Sequence, residues 1–297
     1  MKNLLAITIL LISNFCFGQL KSVIIDSETK GKIPYVNIWV ENENIGTTSN
    51  ENGEFELEIA ETKIILFSAI GFETRKISSD SIKNIVELKP LITELNEVVL
   101  KSKKQNKKLV IGKFKKSKIN HYFACGTTPW ISARYFKFQE DYNKISFLNK
   151  IRVLTNSDVV NSKFNIRFYS VNKNGEPEDY IFDENIIGIA KKGNKITEVD
   201  ISDLNIEFPK EGFFIAIEWL IIESNKHEYG YTMSDTGKKL TGISYEPAIG
   251  TVPADTDENS WIFTQGKWRK MHKNSSGTLK RYKDKYNLLA IELTLTN

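Results

Sequence analysis

The chain is poor in the residues that carry most enzymatic chemistry. Of its 297 residues, two are cysteine and three are histidine: His121, His227 and His272. With an N-terminal leader removed, Cys125 would be the sole remaining thiol, so no internal disulfide is expected and stability must come from burial. Charge of one dominant sign is also missing. The 41 Lys and Arg against 37 Asp and Glu leave a net charge of +4 with the two signs mixed along most of the chain. The broad basic face that phosphate binding requires is therefore not expected, and nucleic acid is not an expected partner. Long apolar runs are scarce as well. The run Leu4 to Ile12 is about half the roughly 20 residues a membrane-spanning helix needs, and no later segment is both long and charge-free. A transmembrane helix is not expected.

That short run has another reading. One lysine near the start, the apolar stretch and small or neutral residues ending at Gly18 match a secretory signal over residues 1–18, with the mature chain starting at Gln19. Cys16 invites a lipoprotein reading, but Ser13, Asn14 and Phe15 lack the small residue such a signal places just ahead of its cysteine. The expected localisation is export to the periplasm, the outer membrane or the exterior.

From Leu20 onward the pattern is strand, turn, strand. In PYVNIWVEN, Val36, Ile38 and Val40 fall on one face of an extended segment, Asn37 and Trp39 on the other, and one face is expected to be buried. Phe55, Leu57 and Ile59 then alternate with Glu54, Glu56 and Glu58. Between these strands lies SNENG, whose Asn52-Gly53 pair is a strong hairpin signal. The acids around Gly53 also raise the question of a calcium loop. Aligning Gly53 with the sixth position of an EF-hand puts Thr48 first and Ile59 twelfth, where the ion needs carboxylates, so a turn is expected and no metal. KIILFSAIGF, residues 63–72, reads as a central strand apolar on both faces, and NIVEL, residues 84–88, closes the set before ELNEVVL.

These residues carry a resemblance. Val23, Asp26, Thr29, Pro34, Val36-Asn37-Ile38, Val40, Gly46-Thr47, Gly53, Phe55, Leu57, Leu66-Phe67-Ser68, Gly71-Phe72 and Leu95 to Leu100 stand in the order and spacing of a known module. Residues 19–100 resemble the carboxypeptidase regulatory-like domain of Bacteroidota envelope proteins. The resemblance implies a seven-stranded, transthyretin-like β-sandwich that is not itself a peptidase and accompanies other domains. In that family it commonly precedes the plug of a TonB-dependent receptor. Here 197 residues follow Leu100, so a complete receptor is not expected.

Residues 101–118, KSKKQNKKLVIGKFKKSK, are half lysine and read as a self-repelling linker. The same run offers peripheral contact with an anionic membrane surface. Residues 119–297 read as a second antiparallel β-sandwich, jelly-roll-like, giving an all-β protein overall. KFNIRFYSV alternates Phe164, Ile166 and Phe168 with Asn165, Arg167 and Tyr169. GFFIAIEWLII, residues 212–222, is a central strand buried on both faces. NLLAIELTLTN places Leu289, Ile291, Leu293 and Leu295 on one side of a strand paired inside a sheet. Turn signals recur at Asn174-Gly175, Lys192 to Asn194, Thr236-Gly237 and Ser276-Gly277, with no long helical period between them.

The search for chemistry yields little. His227-Glu228 opens like the zinc motif H-E-x-x-H, but Tyr231 stands where the second ligand belongs, so two polar hairpin residues are expected. Ser244 lacks the following glycine of a nucleophile elbow, and Thr236 to Lys239 lacks the frame of a phosphate loop. Cys125 and His121 lie four residues apart, about 13 Å along a strand, too far to touch. PADTDENSW is the loop with most promise. Asp255, Asp257 and Glu258 cluster just before Trp261, a set that would suit an ion or a sugar, and Trp130, Trp219, Trp261 and Trp268 offer stacking platforms. Paired acids for glycoside cleavage would have to come from Glu218, Asp255, Asp257 and Glu258. No catalytic residue, cofactor site or metal site is assigned. The expected function is a non-enzymatic binding or adaptor module contacting an envelope protein or glycan. The alternative is a carbohydrate-active enzyme or sugar-binding protein with its site on the second sandwich.

Overall fold

The structure, a computed structural model, describes residues 18–91, 107–256, 260–274 and 279–297. The chain divides into two compact units, residues 1–90 and 91–297. Among the described residues the protein is all-β, and its helical turns are short 3₁₀ pieces. Among the described residues no helix is long and apolar enough to cross a membrane.

The first unit holds β1 (Gly18–Asp26), β2 (Asn37–Val40), β3 (Gly46–Thr48), β4 (Glu54–Ile59), β5 (Ile64–Ser68), β6 (Arg75–Ser78) and β7 (Ile85–Leu88). They form a three-stranded sheet, β4-β1-β7, and a four-stranded sheet, β3-β2-β5-β6. This is the expected seven-stranded sandwich. Its core joins Ile24, Val36, Ile38, Phe55, Leu57, Ile65, Phe67, Val86 and Leu88, with Phe55 edge-on to Phe67 at 5.6 Å. Each such side chain contributes about 1.5–3 kcal/mol through removal from water. Strand β4 alternates as its sequence predicts, Phe55 and Leu57 inward and the glutamates outward. Strand β2 departs from expectation, because Asn37 and Trp39 are buried along with Val36, Ile38 and Val40. Strand β5 departs the other way: it is an inner strand, yet Ile64 is exposed, so only the face of Ile65 and Phe67 is sealed.

The loop around Gly53 is a turn. Asn50 Oδ1 accepts the N–H groups of Asn52 at 2.8 Å and Glu54 at 3.0 Å. Gly53 alone takes the left-handed conformation, at φ 70°, and a Cβ there would lie 2.7 Å from the Ile24 carbonyl oxygen. Glycine is therefore needed both for its φ and for close approach of β1. The ELNEVVL stretch lies outside the described residues.

The second unit opens with β8 (Lys108–Ile111), β9 (Tyr122–Cys125), β10 (Ile131–Phe136), β11 (Phe147–Ser157), β12 (Ser162–Val171), β13 (Pro177–Tyr180), β14 (Ile186–Ala190) and β15 (Gly193–Asp200). It continues with β16 (Phe213–Trp219), β17 (Lys226–Thr232), β18 (Lys239–Ala254), β19 (Trp261–Thr264), β20 (Lys267–Lys270), β21 (Tyr286–Leu289) and β22 (Ile291–Thr296). One sheet runs β13-β12-β16-β10-β19-β20, with β14 also on β12. The other runs β17-β18-β11-β22-β8, with β15 on β11 and β9 and β21 on β18. Phe164, Ile166, Phe168, Phe213, Ile215 and Ile217 from the first meet Leu148, Ile151, Val153, Ile291, Leu293 and Leu295 from the second in one core. Strand β16 is buried along its whole length, and the C-terminal β22 lies between β11 and β8, both as the sequence implies. Part of the lysine-rich span is strand rather than linker. Lys108–Ile111 pairs antiparallel with β22, because Leu109-Val110-Ile111 supplies enough apolar surface to join the sheet while Lys108 stays exposed. Residues 101–106 lie outside the described residues.

Candidate functional site

Two regions of the second unit concentrate polar and aromatic side chains. The first is the outer face of the β16 sheet, opposite the main core. Registers place Trp261, Ala133, Ala216 and Arg167 in one row across β19, β10, β16 and β12. The neighbouring rows hold Phe263, Ile131, Glu218 and Asn165, and Tyr135, Phe214, Tyr169 and Tyr180. Trp268 on β20 meets Tyr169 on β12 with ring centroids 5.1 Å apart. In a flat sheet four strand spacings would separate those strands by about 19 Å, so the sheet curls and its last hairpin lies over its own outer face. The small Ala133 and Ala216 leave room for that cover.

Beneath it sit Arg167 and Glu218, both about 1% exposed and ion-paired through Nε. Burial, the largest single effect, opposes charge on the guanidinium, but Glu218 together with Tyr180 and Tyr169 outweighs it and raises the pKa, keeping the group charged. The Tyr180 ring faces the guanidinium at 5.5 Å. Both terminal nitrogens of Arg167, and the indole N–H of Trp261, find no acceptor among the described residues. Burial also pushes the Tyr169 hydroxyl well above the ordinary tyrosine range.

The second region is a two-stranded arm. Among the described residues strand β17 pairs only with β18, from Lys226↔Tyr245 to Thr232↔Lys239. Its residues from Glu228 to Thr232 are exposed. Alternation sets His227, Tyr229 and Tyr231 on one face, with ring centroids 6.0 Å and 6.2 Å apart in succession. The Tyr229 ring lies against Gly242 directly opposite, where a Cβ would come within 2.7 Å of it.

At the arm's root His227 pairs with Ser244, so Glu246, two residues on, shares its face. Glu246 Oε1 lies 3.7 Å from His227 Nδ1, and Asp158 Oδ2, from the turn after β11, lies 4.0 Å from the same nitrogen. The ligand atoms of all three lie within 4.8 Å of one another. Ser244 Oγ donates to Glu246 Oε1 at 3.2 Å, and the Ala248 N–H to Oε2 at 3.2 Å. Trp219 Nε1 donates to the Pro247 carbonyl at 2.8 Å, anchoring the strand just past Glu246. Burial pushes the Glu246 carboxyl above its ordinary pKa.

Of the residues singled out from sequence, Glu218, Trp261 and Trp268 lie in the first region and His227 in the second, but among the described residues the acidic loop and the tryptophans do not form the expected platform. Asp255 is exposed and paired with Lys285, while Trp261 is buried in β19. Asp257 and Glu258 lie outside the described residues. Trp130 stacks on the buried Trp219 at 4.4 Å, which makes both of them packing groups rather than open platforms. Cys125 is fully buried, its thiol pushed up to about 12, with the Gly126 and Thr128 carbonyls as its contacts. His121 Nδ1 instead meets Thr251 Oγ1 at 2.8 Å. Glu228 pairs with Lys226 at 3.0 Å on the face away from His227, as a hairpin residue would. Asp158 and Glu246 were missed. The findable signal was the hairpin register, since a turn at Thr236-Gly237 sets His227 beside Glu246.

The fold defines an all-β protein of two sandwich units. Residues 20–100 match the CarboxypepD_reg-like domain family, so the first unit is a regulatory fold and not a catalytic one. No curated protein matches the chain. Among solved structures, the cysteine protease and lectin-like domains of Cwp84, a surface layer associated protein of Clostridium difficile, align at 12% identity and TM-score 0.37. That alignment covers 85% of this chain and 45% of that one. Cwp84 after propeptide cleavage aligns at 12% identity and TM-score 0.38, over 85% of this chain and 51% of that one. The chain thus spans about half the length of these structures.

Proposed function

We propose that the protein is an exported, non-enzymatic binding module of the cell envelope, with the β17–β18 arm as its contact element. The leader-like N-terminus and the regulatory-like first unit support the compartment and the class. The observation that carries the reading is the arm itself. A free edge strand exposes backbone donors and acceptors beside Tyr229 and Tyr231, which are 43% and 46% exposed. Edge strands present pairing groups that proteins normally hide, and an isolated hairpin is marginal in water without a partner. Strand addition by a partner protein uses such an edge.

Glu218, one of the acids nominated for glycoside cleavage, is buried and committed to Arg167, which favours binding over cleavage. A second reading, glycan binding, is favoured by the file of tyrosine rings along β17, since flat aromatic faces stack on sugar rings. Capture from envelope extracts by the full chain, run beside a glycan panel, tests both. Recovery of a partner protein that is lost on Tyr229→Ser with Tyr231→Ser supports the adaptor reading, and saturable glycan binding lost in the same variant supports the second. Turnover of a glycoside or peptide substrate would overturn both.

A further inference from the structure

The root of the arm brings together three groups that none of the functions above uses. Asp158, His227 and Glu246 arrive from separate segments: the turn between β11 and β12, β17 and β18. Each segment is held independently. The Asp158 turn is fixed by Ser157 Oγ, which accepts the Val159 N–H at 3.1 Å and contacts Ser162 Oγ at 2.9 Å. His227 is fixed by the hairpin register. Glu246 is fixed by the Ala248 N–H, Ser244 and the Trp219 anchor beyond it.

The charge is unbalanced. Two carboxylates face one imidazole, and among the described residues no Lys or Arg pairs with either of them. Like charges held this close and partly out of water are costly unless a cation joins them. A metal bound tetrahedrally by nitrogen and oxygen at about 2.0–2.2 Å holds its ligand atoms about 3.3 Å apart. The three ligand atoms lie within 4.8 Å of one another, a little wider than that value, and the exposed Asp158 side chain has room to swing toward His227 and Glu246.

We propose that Asp158, His227 and Glu246 form a divalent-cation site for a first-row metal such as zinc(II), pinning the arm to the body of the second sandwich. Imidazole with carboxylates suits zinc or its neighbours, whereas calcium takes oxygen ligands. Three protein ligands leave a coordination position for water or for a group from a partner. The site does not depend on what the arm contacts.

Calorimetric titration of zinc(II) alone into the full chain, after chelator treatment, tests the assignment. The expected result is one site per chain with Kd of about 1 μM or tighter. Asp158→Asn should weaken it at least tenfold, His227→Ala should abolish it, and His272→Ala, at an exposed position, should leave it unchanged. If His227→Ala does not fold, Asp158→Asn on its exposed turn carries the test. The proposal is overturned by no saturable binding, by equal affinity in Asp158→Asn, or by loss of binding in His272→Ala.

Discussion

The outer face of the β16 sheet and the β17–β18 arm belong to one sandwich and treat polar and aromatic groups in opposite ways. On the sheet, Arg167 and Glu218 are charged yet sealed, covered by a hairpin that curls back over two alanines. On the arm, Tyr229 and Tyr231 are large and apolar yet displayed. The difference teaches that residue type alone does not mark a working surface in this protein. Strand neighbours do: the inner β16 loses both faces to packing, whereas the edge strand β17 keeps both faces from Glu228 onward, and one rim, open to a partner.

The comparison breaks most visibly at the sealed pair. Removing one member, as in Arg167→Ala or Glu218→Ala, should cost about 3–5 kcal/mol, because the remaining charge stays buried and unpaired. Replacing both, with Arg167→Met and Glu218→Leu, should restore most of that loss. Tryptophan fluorescence during urea unfolding reads this out, since four of the five tryptophans, all but Trp39, lie in the second unit. If the single variants were as stable as the parent, the pair would not be sealed.

A second test concerns Cys125, whose buried thiol is pushed up from 9.0 to about 12. The folded state then holds the proton more tightly than the unfolded chain. The resulting stabilisation is complete below pH 9 and is lost as the pH rises toward 12. The difference in stability between the parent and Cys125→Ala should therefore shrink across that alkaline window. The folded chain should also resist thiol alkylation at neutral pH, and rapid labelling would contradict the burial.

On the arm the expected stability effects are smaller. Gly242→Val should displace the Tyr229 ring lying across it, weakening partner capture while unfolding free energy moves by only about 0.5 kcal/mol. Tyr229→Ser with Tyr231→Ser should likewise leave the melting curve almost unchanged. A large loss of stability in either variant would mean that the arm is packed rather than displayed.

Much of this architecture was legible in the residues. Phe55-Glu56-Leu57 alternates because one face of β4 meets core and the other meets water, and Phe213 to Trp219 is apolar at every position but Glu218 because β16 is covered on both sides. Asn37 and Arg167 misled for the same physical reason. A polar side chain in an alternating strand reads as solvent-facing, yet each is buried, and the cover over Arg167 comes from a hairpin about 100 residues later in the chain. The lysines flanking Leu109 to Ile111 hid a strand, because local charge outweighed three apolar residues in the pattern. The Asp158, His227 and Glu246 cluster was half legible. Register joins the last two, but Asp158 comes from a turn that only the tertiary fold brings near.

The most direct test of display against sealing is photo-crosslinking in the intact envelope. A crosslinking residue would be placed either at Gly230 on the arm, where an added side chain meets nothing within 4 Å, or at the exposed Arg269 on the covering hairpin. The account predicts specific adducts from position 230 and none from position 269. Adducts from position 269 with none from position 230 would contradict it.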